Sequence, residues 1–201
     1  MTAYDYLFLT LARGRPAHAR LNEALPAAIG DRELVGQFAP QLGWASNEAA
    51  VLLRGPDDEA ARNAAADAVA SLPDVLALRR ERLTPTLRPG DQDRPAPGGI
   101  FVHNWFHVDA EATEEFVRLS GEAWIDFEGR FATTIFGLFT AARSAEDEAQ
   151  GVQRLLLITR YADHGVWQDS RDPSSAAMEI FARRHELTRH TRACSTLLRT
   201  P

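Results

Sequence analysis

One short stretch concentrates the groups that could do chemistry. It runs from Ile100 to Val108 and contains His103, Asn104, Trp105 and His107. Its β-branched and aromatic residues read as a strand. Histidine is the side chain whose ordinary pKa lies nearest neutrality, so His103 and His107 are candidate proton carriers. Asn104 or Arg160 is the candidate group for polarising a carbonyl. A second set lies further on. Trp105, Trp124 and Trp167, with Tyr161, offer an aromatic wall for a planar ligand, and Arg160, Arg171, Arg183 and Arg184 offer guanidinium forks that match a carboxylate or phosphate. Each of these residues has a plainer reading. A buried histidine or tryptophan is often core packing, and an arginine cluster is often a solvated helix face.

Other chemistries are disfavoured by type or spacing. All the basic residues are Arg and none is Lys, which excludes a Schiff-base lysine and a Walker A lysine. His103 and His107, four residues apart on a strand, have Cα atoms about 13 Å apart, too far to share one metal ion. His185 and His190 are one residue too widely spaced for the zinc-protease helix motif. No Gly-x-Ser-x-Gly nucleophile elbow and no Gly-x-Gly-x-x-Gly phosphate loop is present. His164 follows Asp163 at a helix entrance, where a solvated loop histidine is the simpler account.

Positioning these residues requires elements, and the elements recur. Tyr4 to Ala12 reads as a strand and Pro16 to Ile29 as a helix, with Ala17, Leu21, Leu25 and Ala28 at helical spacing. Glu33 to Gln41 and Trp44 to Arg54 read as paired strands. An alanine-rich helix runs from Asp57 to about Leu72, and Ala77 to Leu87 is a strand. Residues 89–99, rich in Pro, Gly and charge, read as a linker. The order then repeats: strand Ile100 to Val108, helix Glu111 to about Gly129 with Asp109 at its N-cap, strands Thr133 to Arg143 and Gln153 to Tyr161. The stretch Ser144 to Gly151 reads as an acidic loop. A helical region interrupted at Pro173 extends to Arg189, and Thr191 to Arg199 is the last strand.

The pattern βαββαβ thus occurs twice, offset by roughly 95 residues. The expected fold is α+β: tandem ferredoxin-like βαββαβ repeats, residues 1–88 and 100–201, in the manner of a dimeric α+β barrel. On the opening strand of the second repeat, Phe101, His103, Trp105 and His107 share one face. Ile100, Val102, Asn104, Phe106 and Val108 share the other. The expectation is that the first face lines the barrel and the second packs under helices. The first repeat has only His18, so the site is expected in the second.

A net charge of −6 and a pI near 5.5 argue against nucleic acid as a partner. No apolar run is long enough to span a membrane, and the opening residues lack the form of a signal peptide. With a single cysteine, Cys194, these readings favour a cytoplasmic protein.

The second repeat also resembles a known family. Its strand Gly99 to His107, the helix with Glu115, Phe116 and Trp124, the strands with Phe136 to Phe139 and Leu155 to Tyr161, and the helix entrance Trp167 to Arg171 look like a NIPSNAP domain. The resemblance covers about half the chain and implies the dimeric α+β-barrel fold with a small-molecule-sized interior. It implies no agreed reaction. Heme degraders of the wider superfamily use an Asn on the first strand, a Trp at the entrance of the second helix and a His ten residues later. Asn104 and Trp167 occupy the first two places. Ala177 occupies the third, and His185 lies about two turns beyond. Three readings stay open. One is a protein binding a small apolar or aromatic organic molecule, as a cofactor-independent oxygenase or isomerase. Another is a non-catalytic dimeric interaction protein, and the third a heme-binding protein. A homodimer is expected in each.

Overall fold

The computed structural model describes residues 2–14 and 16–199. The chain forms two compact units. The first comprises residues 2–84 with 194–199, and the second residues 85–193. Each is an antiparallel sheet with helices packed on one face.

In the first unit β1 (Thr2–Leu11), β2 (Glu33–Leu42), β3 (Glu48–Pro56) and β4 (Val75–Pro85) assemble in the order β4, β1, β3, β2. The end of β8 (Thr188–Arg199) adds beside β2. Helices α1 (Pro16–Ala28) and α2 (Glu59–Ala70) follow β1 and β3. The alternation of β1 turns Leu7, Leu9 and Leu11 to the helices. There they form one core with Leu21 and Leu25 of α1, Val69 of α2 and Val51 and Leu53 of β3. Asp5 lies on the same face. It is buried and accepts hydrogen bonds from Arg32 and Arg62, at 2.9 and 3.0 Å. A buried charge is tolerated when paired, and this carboxylate ties α2 and the α1–β2 connection to the sheet.

The second unit places the functional candidates. Its strands β5 (Ile100–Asp109), β6 (Thr133–Ala141) and β7 (Val152–Tyr161) run in the order β5, β7, β6, with the start of β8 beside β5. Helix α3 (Thr113–Arg130) buries Phe116, Leu119, Ser120, Ala123, Trp124 and Phe127, a stripe at three- and four-residue spacing. Short α4 (Ala145–Gln150) and α5 (His164–Asp169) precede α6 (Ala176–Glu186), which packs on α3. The two are stitched where Asp126 of α3 accepts a hydrogen bond from the Ala177 N–H, at 3.0 Å. Ser175 caps the same helix end.

Two glycines are required by close approach. Gly99 enters β5 at φ +74°, and a Cβ there would collide with the Tyr161 carbonyl oxygen. Gly137, at an irregularity in β6, lets Pro89 come within 2.5 Å of where a Cβ would stand. The chain around Pro89 runs along β6, with Thr86 and Arg88 exchanging backbone hydrogen bonds with Leu138.

The expected α+β fold and the two βαββαβ passages are present. Three local expectations are corrected. Ser144 to Gly151 is α4, not a loop, because Ser144 and Asp147 form a reciprocal capping box and Gly151 ends the helix in a left-handed turn. The helix after β5 begins at Thr113 behind a 3-10 turn, and Asp109 makes no side-chain cap; its carboxylate pairs with Arg189. Helix α6 stops at Glu186, so β8 begins three residues earlier than expected, at Thr188.

Candidate functional site

A cavity of about 450 Å³ lies in the second unit, between the helix-covered face of the sheet and α6. The register explains which strand residues reach it. Asn104 pairs with Leu157, Phe106 with Leu155, and Ile100 with Tyr161. Paired residues share a face, so Asn104, Phe106, Leu157, Thr159 and Tyr161 all point to the helix side. These five line the cavity from the sheet, with Ile135 of β6. Phe127 of α3 contributes another wall. From α6 come Met178, Phe181, Ala182, Arg184 and His185, and Arg171 stands between α5 and α6.

The polar groups are distinctive. Arg184 is 9 % exposed. Its guanidinium lies 5.0 Å from the Phe106 ring centroid, 5.1 Å from Phe116 and 4.5 Å from Phe181. One of its nitrogens donates to the Ser120 hydroxyl at 3.2 Å. Burial lowers its pKa to about 10, so it remains charged at neutral pH. The Tyr161 phenol is buried and its pKa raised by desolvation, against the pull of Arg171, Ser170 and Arg184. It is therefore a neutral hydrogen-bonding group there. Arg171 is exposed, and its guanidinium lies 5.2 Å from the centroid of the Trp167 ring.

The residues singled out from sequence divide into three places. Asn104, Tyr161 and Arg171 come together on the cavity. Trp167 stands behind Arg171 rather than on the cavity wall, half-buried. His103, Trp105, His107 and Arg160 project from the other sheet face. His103 is 0 % exposed, and desolvation lowers its pKa to about 3, so it is uncharged at neutral pH. His107 is half-buried against His190, with ring centroids 5.5 Å apart; its pKa is lowered by desolvation and by the neighbouring His190 and Arg154. Arg160 donates to the Gly98 carbonyl at 2.9 Å and borders a smaller cavity of about 250 Å³ with Arg88, Arg94 and Phe101. The larger void therefore opens on the face read as packing, not on the histidine face.

Met178, Phe181, Arg184 and His185 complete the site. Their signal in the sequence is spacing: Met178, Phe181 and Arg184 recur every three residues, with His185 following. Read from sequence, Arg184 is one of four arginines that could bind a carboxylate or phosphate, and a solvated basic helix face is its plainer account. Two of the rings that bury it, Phe106 and Phe116, lie on β5 and α3, far back along the chain, so only the fold reveals its burial.

Heme was tested against these residues. A ligating histidine ordinarily donates its other ring N–H to a carboxylate, carbonyl or water that fixes its orientation. His185 lines the cavity, yet among the described residues it has no such side-chain partner. Ala177, at the position where the heme degraders carry their histidine, is fully buried and absent from the cavity wall. A heme would therefore have to take its protein ligand from His185 on the cavity wall rather than from position 177. Among the described residues no cluster of His, Cys, Asp or Glu is arranged to hold a metal ion, and no helix is long and apolar enough to cross a membrane.

No family model matches the chain, and no curated protein matches it. Solved structures do. An anthrone oxidase-like protein superposes with a TM-score of 0.67 at 11% identity, covering 99% of this chain and 92% of that one. A protein assigned as a monooxygenase, from Fusobacterium nucleatum subsp. nucleatum, gives 0.63 at 10% identity, covering 98% and 92%. A heme-binding protein from Thermus thermophilus gives 0.52 at 10% identity, covering 100% and 92%. The likeness establishes the fold alone, an α+β fold shared with these proteins along nearly the whole chain.

Proposed function

We propose that the protein binds a small apolar or aromatic organic molecule in the cavity beneath α6. The observation that carries this reading is the composition of that cavity. Phe106, Phe127, Ile135, Leu157, Met178 and Phe181 make its walls, and a few polar groups, Asn104, Tyr161, Arg171, Arg184 and His185, converge on it. An apolar pocket with a small number of placed polar groups is how small molecules are held and oriented. The names of the neighbours, an anthrone oxidase-like protein and a monooxygenase assignment, agree with a ligand of this class.

The reaction we attach to it is abstraction of a proton from a carbon acid, leading to isomerisation or, with dioxygen, to oxygenation. In this reading His185 is the base and Asn104 donates a hydrogen bond to the developing oxyanion. We further propose that the protein works as a homodimer, on the strength of its fold class.

Native mass spectrometry of the purified protein tests the reading, comparing the wild type with Ala182→Trp, which fills the cavity. A co-purified organic mass, or saturable uptake of the neutral aromatic probe 2-naphthamide, is expected for the wild type and lost in the variant. The same spectra give the oligomeric state. Absence of both signals from the wild type rejects the reading and favours a non-catalytic interaction protein. Saturable hemin binding that disappears in His185→Ala would identify heme as the ligand instead.

A further inference from the structure

We infer that this cavity selects an organic acid, whose carboxylate is held by Arg184 and Arg171 while its apolar body lies against the phenylalanine and methionine walls. The inference rests on the reading of the cavity as a ligand site and names the class of ligand.

The argument begins with an imbalance of charge. Arg184 is nine-tenths buried and forms no ion pair with any described residue. A buried charge without a partner is costly, and proteins ordinarily supply a carboxylate. The unit does so for other arginines: Arg154 has Asp147 at 3.0 Å, and Arg88 has Glu128 at 2.9 Å. Arg184 has instead the faces of three phenylalanines. These stabilise a cation but accept no conventional hydrogen bond. A guanidinium carries five N–H donors, and among the described residues the bond to Ser120 engages one of its nitrogens. The remaining donors belong to a side chain that lines the cavity.

A second cation stands on the same wall. Arg171 also lines the cavity, has no carboxylate partner among the described residues, and is steadied by stacking on Trp167. The neutral Tyr161 phenol senses both guanidiniums. Among the described residues no Asp or Glu lines the cavity. The lining thus carries two guanidiniums and no carboxylate, and the space between them suits one negative group.

Geometry favours a carboxylate. A guanidinium and a carboxylate are planar and match two donors to two acceptors. The lining is mostly apolar, so a ligand with one compact charge and a hydrophobic body satisfies both parts. A doubly charged, strongly hydrated phosphate would lose more hydration than a carboxylate does in so apolar a lining.

The test uses two probes with the same body, 2-naphthoate and 2-naphthamide, titrated calorimetrically into the full-length protein at pH 7. The wild type is expected to bind the acid about tenfold or more tightly than the amide, as charge-assisted hydrogen bonds exceed neutral ones. Arg184→Met should abolish that preference, because the paired contact of a guanidinium with a carboxylate is removed. Arg171→Gln, at the exposed rim, should reduce the preference by about threefold, as expected of a solvent-screened charge. This second variant serves if Arg184→Met does not fold. Equal affinity for acid and amide in the wild type overturns the inference while leaving the cavity reading intact. So does a preference that survives both substitutions. Failure of both probes to bind removes the cavity reading and the inference together.

Discussion

His103 is the residue whose chemistry the fold has most strongly reset, and acid titration should expose it. The imidazole is fully buried, and burial lowers its pKa from 6.5 to about 3. In the unfolded chain it regains the ordinary value. Below pH 6.5 the unfolded chain therefore takes up a proton that the folded chain refuses. Stability from this group is complete above pH 6.5 and falls as pH drops towards 3. Within that window each pH unit costs about 1.4 kcal/mol. Between pH 7 and pH 5 the loss from His103 alone is about 2 kcal/mol. Urea denaturation at the two pH values measures it. Other groups with lowered pKa values, His107 and Asp147 among them, add losses of the same sign. The diagnostic quantity is thus the difference between wild type and His103→Gln. Glutamine still hydrogen-bonds but does not titrate, so the variant should lose about 2 kcal/mol less over the same interval. An identical pH dependence in both proteins would show that His103 is solvated. That would also restore it as a proton carrier, since such a group needs a pKa near the working pH.

Three further outcomes follow from particular contacts. Asp5→Ala leaves Arg32 and Arg62 without the buried carboxylate they share, and should cost about 3–5 kcal/mol in urea denaturation. Gly99→Ala places a methyl group against the Tyr161 carbonyl at a positive φ; a loss of about 1–3 kcal/mol is expected, and thermal denaturation would detect it. Ser144→Ala removes one half of the α4 capping box and should cost about 1 kcal/mol, with faster amide exchange confined to residues 145–151.

The order of elements was legible because each strand is a compact aromatic and aliphatic run, and each break carries Pro, Gly or charge. Leu7, Leu9 and Leu11, with Leu21 and Leu25, announce by period alone which faces meet. Boundaries were less legible where side chains had two competing uses. Asp109 has the chemistry of an N-cap, yet it is taken by Arg189 from a strand 80 residues on. The reverse holds at Ser144 and Asp147, where a capping box sits in a stretch so acidic that it reads as loop. Nothing local ranks these alternatives, because the decisive partner of Asp109 is distant.

The site shows the same limit more sharply. Alternation along β5 separates Asn104 and Phe106 from His103 and Trp105, and the fold keeps that division. It cannot tell which side holds a void, because a void is a shortage of side-chain volume contributed from elsewhere. Here the small side chains of Ala182 and Ala193 are among those that line the space. Histidines attract attention because their chemistry is intrinsic, whereas the charge in this cavity is functional only through context. Arg184 would be an ordinary surface cation if Phe106, Phe116 and Phe181 did not surround it. Burial without a counter-ion among the described residues makes the same guanidinium the group on which the proposed carboxylate site rests. The informative feature is therefore the partner that Arg184 lacks, a feature that exists only once the chain is folded.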